Sequence, residues 1–179
     1  MLYAVLIGIC GECLFSLGFH MYEYRLENVP IYVPPGHAII YIVTVYFCRE
    51  KFVKLYKVQL EIIIGIFIFL YALAFLIFAN EVFGFSLTLL TFWILRNKPR
   101  ERLFYYSMYL VVVLELIGIN YNCWYWPTTA FGVFDFLKSA NPPSGISFFY
   151  FGLDLGSLWL YNQRHKIAWG RMKRLRIVN

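Results

Sequence analysis

Long apolar runs, broken by short polar stretches, dominate the chain. The first covers residues 2–22, enough helix to cross a hydrocarbon core of roughly 30 Å. It begins without the Lys/Arg segment of a signal peptide, and no small-x-small cleavage site follows, so it reads as a retained helix. A proline-bearing stretch comes next. Pro30, Pro34 and Pro35 do not fit a helix interior, but Pro35 suits a first turn. Further runs predict helices at 35–48, 58–79, 82–95, 103–122 and 144–161. Asn80, Glu81 and Gly84 mark a tight turn between the third and fourth. Joined, those two runs would make a helix of roughly 40 residues, too long for one crossing at about 1.5 Å per residue.

Composition narrows the class. Of 179 residues, 61% are hydrophobic and 15% charged, against about 45–50% and 25% in an average soluble chain. The expected fold is all-α: a polytopic transmembrane bundle of about six helices in one domain, with a basic tail at 162–179. Charge placement tests the topology. Nearly all Lys and Arg fall at 49–57, 96–102 and 164–176. With the chain starting inside, six crossings place all three clusters on the cytoplasmic side with both ends. Five or seven crossings would put a cluster outside. The net charge of +6 thus reads as a topology signal and not as a nucleic-acid footprint. A bacterial inner membrane is the expected location.

Polar residues at helical spacing mark faces turned toward protein, because lipid-facing surfaces tolerate few of them. Gly8, Glu12, Ser16 and His20 form such a face in the first helix, and Glu23 extends it. His37, Tyr41, Thr44 and Cys48 do so in the second, and Ser107, Glu115, Gly118 and Asn122 in the fifth. Ser147, Tyr150, Asp154, Ser157 and Tyr161 do so in the sixth. The predicted core is helices one, two, five and six. Helices three and four should be peripheral and free to dock a protein partner.

Glu12, Glu115 and Asp154 each fall well inside a predicted span. A charged acid at mid-bilayer costs at least about 2.5–3.5 kcal/mol, so each must be protonated, paired or in a wet cavity. No Lys or Arg lies at comparable depth, which argues against salt bridges. These acids are candidate acid–base groups or, more plainly, interhelical hydrogen-bonding groups. His20 and His37 fall near the outer ends of helices one and two. With Glu23, Glu27 or Glu81 they are weak candidates for a metal site or an acid–base pair, though the spacing matches no metal or haem motif. Cys10-Gly11-Glu12-Cys13 has redox-motif spacing. Mid-helix and away from water, it reads as two small buried thiols. Trp124-Tyr125-Trp126-Pro127 suits an aromatic belt or the lip of a groove. Ser144 is placed to cap helix six.

Residues 23–37, with Val29-Pro30-Ile31-Tyr32-Val33-Pro34, and the 124–126 loop resemble segments of the carotenoid-hydratase membrane family. The likeness covers about thirty residues without a diagnostic motif, and no activity is carried over from it.

Three functions fit these features. The first is an enzyme acting on a lipid or isoprenoid-like substrate from a cavity open to the non-cytoplasmic side. Glu12, Glu115 and Asp154 would then be acid–base groups, and His20 and His37 would bind or polarise the substrate. The second is a noncatalytic subunit of a membrane complex. The third is a small transporter, although inverted repeats and paired broken helices are missing from the sequence. No cofactor is specified.

Overall fold

The structure, a computed structural model, describes residues 2–166 and 169. Of the predicted basic tail, residues 167, 168 and 170–179 lie outside the described residues. The chain is mostly helical. Helix α1 (Leu2–Glu12) continues as a π-helical segment, Cys13–Gly18, and a short strand β1 (Glu23–Tyr24) follows. Then come α2 (Val33–Phe47), the single-turn α3 (Lys51–Leu55), α4 (Lys57–Ala79) and α5 (Val82–Leu95). Helices α6 (Arg102–Met108) and α7 (Val111–Asn120) are separated by a turn at Tyr109 and Leu110. Strands β2 (Trp124–Tyr125), β3 (Thr129–Ala130) and β4 (Phe134–Lys138) precede α8 (Ser147–Arg164).

By length and composition, two helical stretches are long and apolar enough to cross a membrane, Lys57–Ala79 and Arg102–Asn120. They differ in setting. The α4 stretch buries little beyond Ile68 and Ala72 and exposes Ile62, Ile63, Ile66, Phe67 and Leu70. Every residue from Leu103 to Met108 in α6 is buried. Helix α1 packs on α2 and α8, α2 on α6, and α6 on α8, while α4 lies outside against α5 and α6. Burying α6 among three neighbours puts Leu103, Phe104 and Tyr105 at the centre of the core, and apolar burial at that density is the main favourable term in such packing. An ion pair from Arg102 to Glu61, 2.7 Å, ties the start of α6 to α4.

Three local features correct the sequence-based picture. The first helix ends at Gly18 and not at 22: its backbone bonding widens to π after Glu12, and His20 takes a left-handed φ of 47°. The two loops are not wholly irregular. Glu23 and Tyr24 pair antiparallel with Tyr125 and Trp124, and β3 pairs with β4. Finally, α8 begins at Ser147, after Ile146. Ser144 lies before the helix and caps nothing.

Helix α4 closes on Asn80, a left-handed residue (φ 52°) whose N–H bonds the Phe75 carbonyl. Such a terminus frees the next residue to start a helix at once. Gly84 then makes a close approach possible. A Cβ there would lie 2.5 Å from the Ser144 nitrogen, so only glycine lets the first turn of α5 meet the segment leading into α8.

Candidate functional site

Helices α1 and α2 bring two titratable side chains together inside the molecule. Glu12, at the end of α1, and His37, in the second turn of α2, meet at 2.7 Å between Oε1 and Nε2. Their side chains are 4% and 10% exposed, which makes the contact an interior one. Gly8, one turn before Glu12, leaves room for the ring: a Cβ there would lie 3.3 Å from His37 Cδ2. The other carboxylate oxygen accepts from the hydroxyls of Tyr22 (2.6 Å) and Tyr24 (2.7 Å). Burial, with the Glu12 charge adding to it, raises the Tyr24 phenol far above its ordinary range, so it stays a donor.

This geometry assigns a tautomer. Three donors converge on Glu12, an arrangement that an ionised carboxylate accepts in full. His37 then carries its proton on Nε2, and in the neutral ring Nδ1 holds the free lone pair. Nδ1 is buried and makes no hydrogen bond among the described residues. A carboxylate that orients one imidazole nitrogen and leaves the other unengaged is the arrangement of a general base.

Glu115 forms a second centre. It is 6% exposed. Its Oε2 accepts from the indoles of Trp124 (2.8 Å) and Trp126 (3.4 Å), and its Oε1 from the Tyr150 hydroxyl (2.9 Å). The 124–126 segment is therefore neither only a belt nor only a lip: two of its indoles satisfy a buried acid, and Trp126 stacks on Phe149. Gly118 admits this arrangement, for a Cβ there would fall 2.1 Å from Trp124 Cζ2. With all three donors satisfied, Glu115 fastens the loop after α7 to the bundle.

Two cavities meet at His37 and Tyr150, whose rings pack edge to face at 5.1 Å between centroids. The smaller, about 70 Å³, is bordered by Glu12, Glu115, Tyr22 and Trp124. The larger, about 250 Å³, runs along α8 past Asp154 and Ser157 to Tyr161 and Tyr3. Asp154 is 5% exposed and accepts from the Tyr105 hydroxyl at 3.2 Å. At the far end the Tyr3 hydroxyl meets His165 Nε2 at 2.9 Å. The larger cavity thus lies beside the start of α1, while Trp124 borders the smaller one.

The structure brings together only some of the candidates. Glu12 and His37 are joined directly, and Glu115 shares the small cavity with them. Asp154 lies on the larger cavity. His20 is exposed, beyond the end of the first helix, while His37 faces Glu12. Glu23 and Glu27 are exposed, and Glu23 accepts a bond from the Tyr125 hydroxyl. Glu81 serves a different place. It is 0% exposed and accepts from the Ser144 hydroxyl, from the Ser144 N–H at 2.9 Å and from the Ala140 N–H at 3.4 Å. Burial raises its carboxyl above the ordinary range, and those bonds oppose the rise. Among the described residues no group of three or more His, Cys, Asp or Glu is placed to hold a metal ion. Cys10 and Cys13 are exposed, not buried, because α1 turns Gly8, Gly11 and Glu12 toward its neighbours and these two thiols outward.

Comparison with known protein families, characterised proteins and solved structures returns no match.

Proposed function

We propose that the chain is a six-span integral membrane protein, with both ends and its basic clusters cytoplasmic, that carries out acid–base chemistry on a lipid or isoprenoid-like substrate. The observation that carries this reading is the buried Glu12–His37 pair at the junction of two cavities. An intramembrane ionisable pair costs insertion energy that a purely structural contact could avoid with apolar residues. The substrate lies in the larger cavity with its reacting group against the His37 ring. Nδ1 takes a proton from the substrate, and the resulting imidazolium is held by the Glu12 carboxylate. Return of that proton to another atom of the substrate completes the cycle without a co-reactant. Glu12 is a positioning residue here, and Glu115 supports the wall.

The span count rests on the run lengths and on the placement of Lys and Arg. Helices α1 with its π segment, α2 and α5 are shorter apolar helices and would cross with help from the flanking loops. The location that fits is a bacterial inner membrane.

The test compares host membranes holding the wild-type chain with membranes holding His37→Gln, which can still bond Glu12. The protein should resist an alkaline wash of the membranes. Mass spectrometry of extracted lipids should then show one species depleted and one formed with the wild type alone. Identical lipid profiles, with the variant present at equal level, would remove the catalytic reading and leave a noncatalytic subunit of a membrane complex.

A further inference from the structure

A groove on the outside of the bundle lies apart from Glu12 and His37. It runs along α4 from Glu61 to Leu70, against α5 and α6, and measures about 400 Å³. Its walls are Ile62, Ile66, Phe69 and Leu70 of α4, with Phe92 of α5 and Tyr106 of α6. Gly65 hollows it. A Cβ there would lie 3.0 Å from Tyr106 Cε2, so the ring rests against the α4 backbone, where it also packs edge to face on Phe92 at 5.4 Å. Charged groups line one end alone, where Arg102 pairs with Glu61. Arg102 also donates to the carbonyls of Leu95 (3.4 Å) and Arg96 (3.2 Å), which brings the end of α5 to the same place. Those bonds occupy Arg102 within the protein. Beyond that end the chain is basic. Residues 49–57 hold Arg49, Lys51, Lys54 and Lys57 against Glu50, and residues 96–102 hold Arg96, Lys98, Arg100 and Arg102 against Glu101. Arg49, Lys51, Lys54, Arg96 and Arg100 are exposed. The first of these segments leads into α4 at Lys57, one turn before Glu61. Within it, buried Val53 fixes α3 with Phe52 and Leu55 outward between Lys51 and Lys54, the composition of a segment lying in the headgroup layer.

An apolar groove with a cationic rim at one end matches an amphiphile of complementary build. We infer that this groove holds one acyl chain of an anionic phospholipid, whose phosphate meets exposed Lys and Arg side chains of the 49–57 and 96–102 segments. The inference rests on α4 crossing the bilayer and not on the chemistry proposed for Glu12 and His37. Length is consistent. Glu61 to Leu70 spans about 14 Å of helix, close to half of a hydrocarbon core of about 30 Å. The groove therefore has the depth of one leaflet, which is the depth of one lipid chain. Basic clusters beside a span attract anionic headgroups. A zwitterionic head carries its own cation and gains less from the rim. A partner helix would use the apolar walls and leave the exposed cations without a counter-charge.

The experiment adds dioleoyl phosphatidylglycerol or dioleoyl phosphatidylcholine to the purified full chain in a maltoside detergent. Native mass spectrometry reads the fraction of protein carrying one lipid. The anionic lipid should reach half-occupancy at about tenfold lower concentration, the order expected of one or two cations at the headgroup, and a higher salt concentration should narrow the gap. Dihexanoyl phosphatidylglycerol, with the same head and shorter chains, should bind at least about tenfold more weakly than the dioleoyl form. Lys54→Gln combined with Arg96→Gln should cut the preference to below about threefold and leave binding of the neutral lipid in place. Equal binding of the two dioleoyl lipids, or a preference that survives the double substitution, would overturn the inference. Displacement of the dioleoyl lipid by inorganic phosphate would overturn it and assign the cations to free phosphate. A second polypeptide retained in stoichiometric amount, with no lipid bound, would overturn it and assign the groove to a protein. Should the double variant fail to give a monodisperse protein, the wild-type ranking and Ile66→Trp decide. The latter fills the groove and should weaken both lipids while keeping the preference, and unchanged occupancy would count against the groove. Release of the chain by the alkaline wash would remove the membrane reading itself, whereas retention in the wash with equal binding of both lipids would remove this inference alone.

Discussion

Replacing Glu12 separates the structural cost of this acid from its part in the chemistry. Alanine removes the acceptor of three interior donors: the hydroxyls of Tyr22 and Tyr24 and Nε2 of His37. Each buried donor left unsatisfied costs about 1–3 kcal/mol, so Glu12→Ala should lose about 3–9 kcal/mol, a large part of a typical stability of about 5–15 kcal/mol. Glutamine keeps the volume and one oxygen. With that oxygen toward the two tyrosines, its amide N–H₂ faces Nε2, and the ring changes tautomer to accept. All three contacts survive, and the loss should be only about 1 kcal/mol. The tautomer change moves the ring proton to Nδ1, so the free lone pair disappears. Glu12→Gln should therefore fold and yet abolish the lipid conversion proposed above. The assay is thermal unfolding in one detergent, followed by tryptophan fluorescence. At this chain length 1 kcal/mol moves the midpoint by about 2–4 °C. Alanine should lower it by at least ~6 °C and glutamine by about 2–4 °C. Midpoints for the two variants that agree within about 2 °C, or an active Glu12→Gln protein, would refute the hydrogen-bond scheme.

Two other perturbations test the supports. Gly118→Ala puts a methyl where the Trp124 ring now lies, so the ring must leave Glu115. A loss of about 1–3 kcal/mol is expected from overpacking, with a shift in tryptophan emission, and an unchanged spectrum would contradict the packing. Glu81 tests pH dependence. Its carboxyl is raised in the fold, so the folded state holds a proton that the unfolded state releases. The resulting stability is fully present below the unfolded pKa, near 4.5, and is lost as pH rises through the folded value. Glu81→Gln, neutral throughout, should remove that decline, and parallel midpoint-versus-pH curves for wild type and variant would contradict it.

Much of the framework is legible in the sequence. The 82–95 run coincides with α5, and 58–79 differs from α4 by one residue, because long apolar runs bounded by Asn80 and by Arg96 leave little freedom. The four-residue spacing of Gly8, Glu12 and Ser16 marks the buried face of the first helix. The partners of the acids are less legible, since they come from loops. Tyr22 and Tyr24 stand two apart, the spacing that sends side chains to one side of an extended segment, and this signal could have found them. It is masked by an apolar run that continues past Gly18. Pairing of residues 23–24 with 124–125 leaves no local mark, because each strand is two residues long and depends on the other. The turn at Tyr109 and Leu110 lies in an unbroken apolar stretch without Pro or Gly, and periodicity does not reveal it.

The partners of Glu12 and Glu115 are nearer in the chain than those of Glu81 and Asp154, which reach across 63 and 49 residues. Glu12 finds Tyr22, Tyr24 and His37 within 25 residues, and Glu115 finds Trp124, Trp126 and Tyr150 within 35. A chain made from its amino end therefore carries Glu12 and Glu115 with their donors close behind them in sequence. All three hydrogen-bond partners of Glu12 precede residue 50, while Trp124, Trp126 and α8 complete the packing around them. The second acid is sheltered by the segment that immediately follows it. By the 49–57 connection Glu12 has all its donors in the chain, and Tyr22, Tyr24 and His37 take their final setting only when Trp126, Trp124 and Tyr150 pack against them.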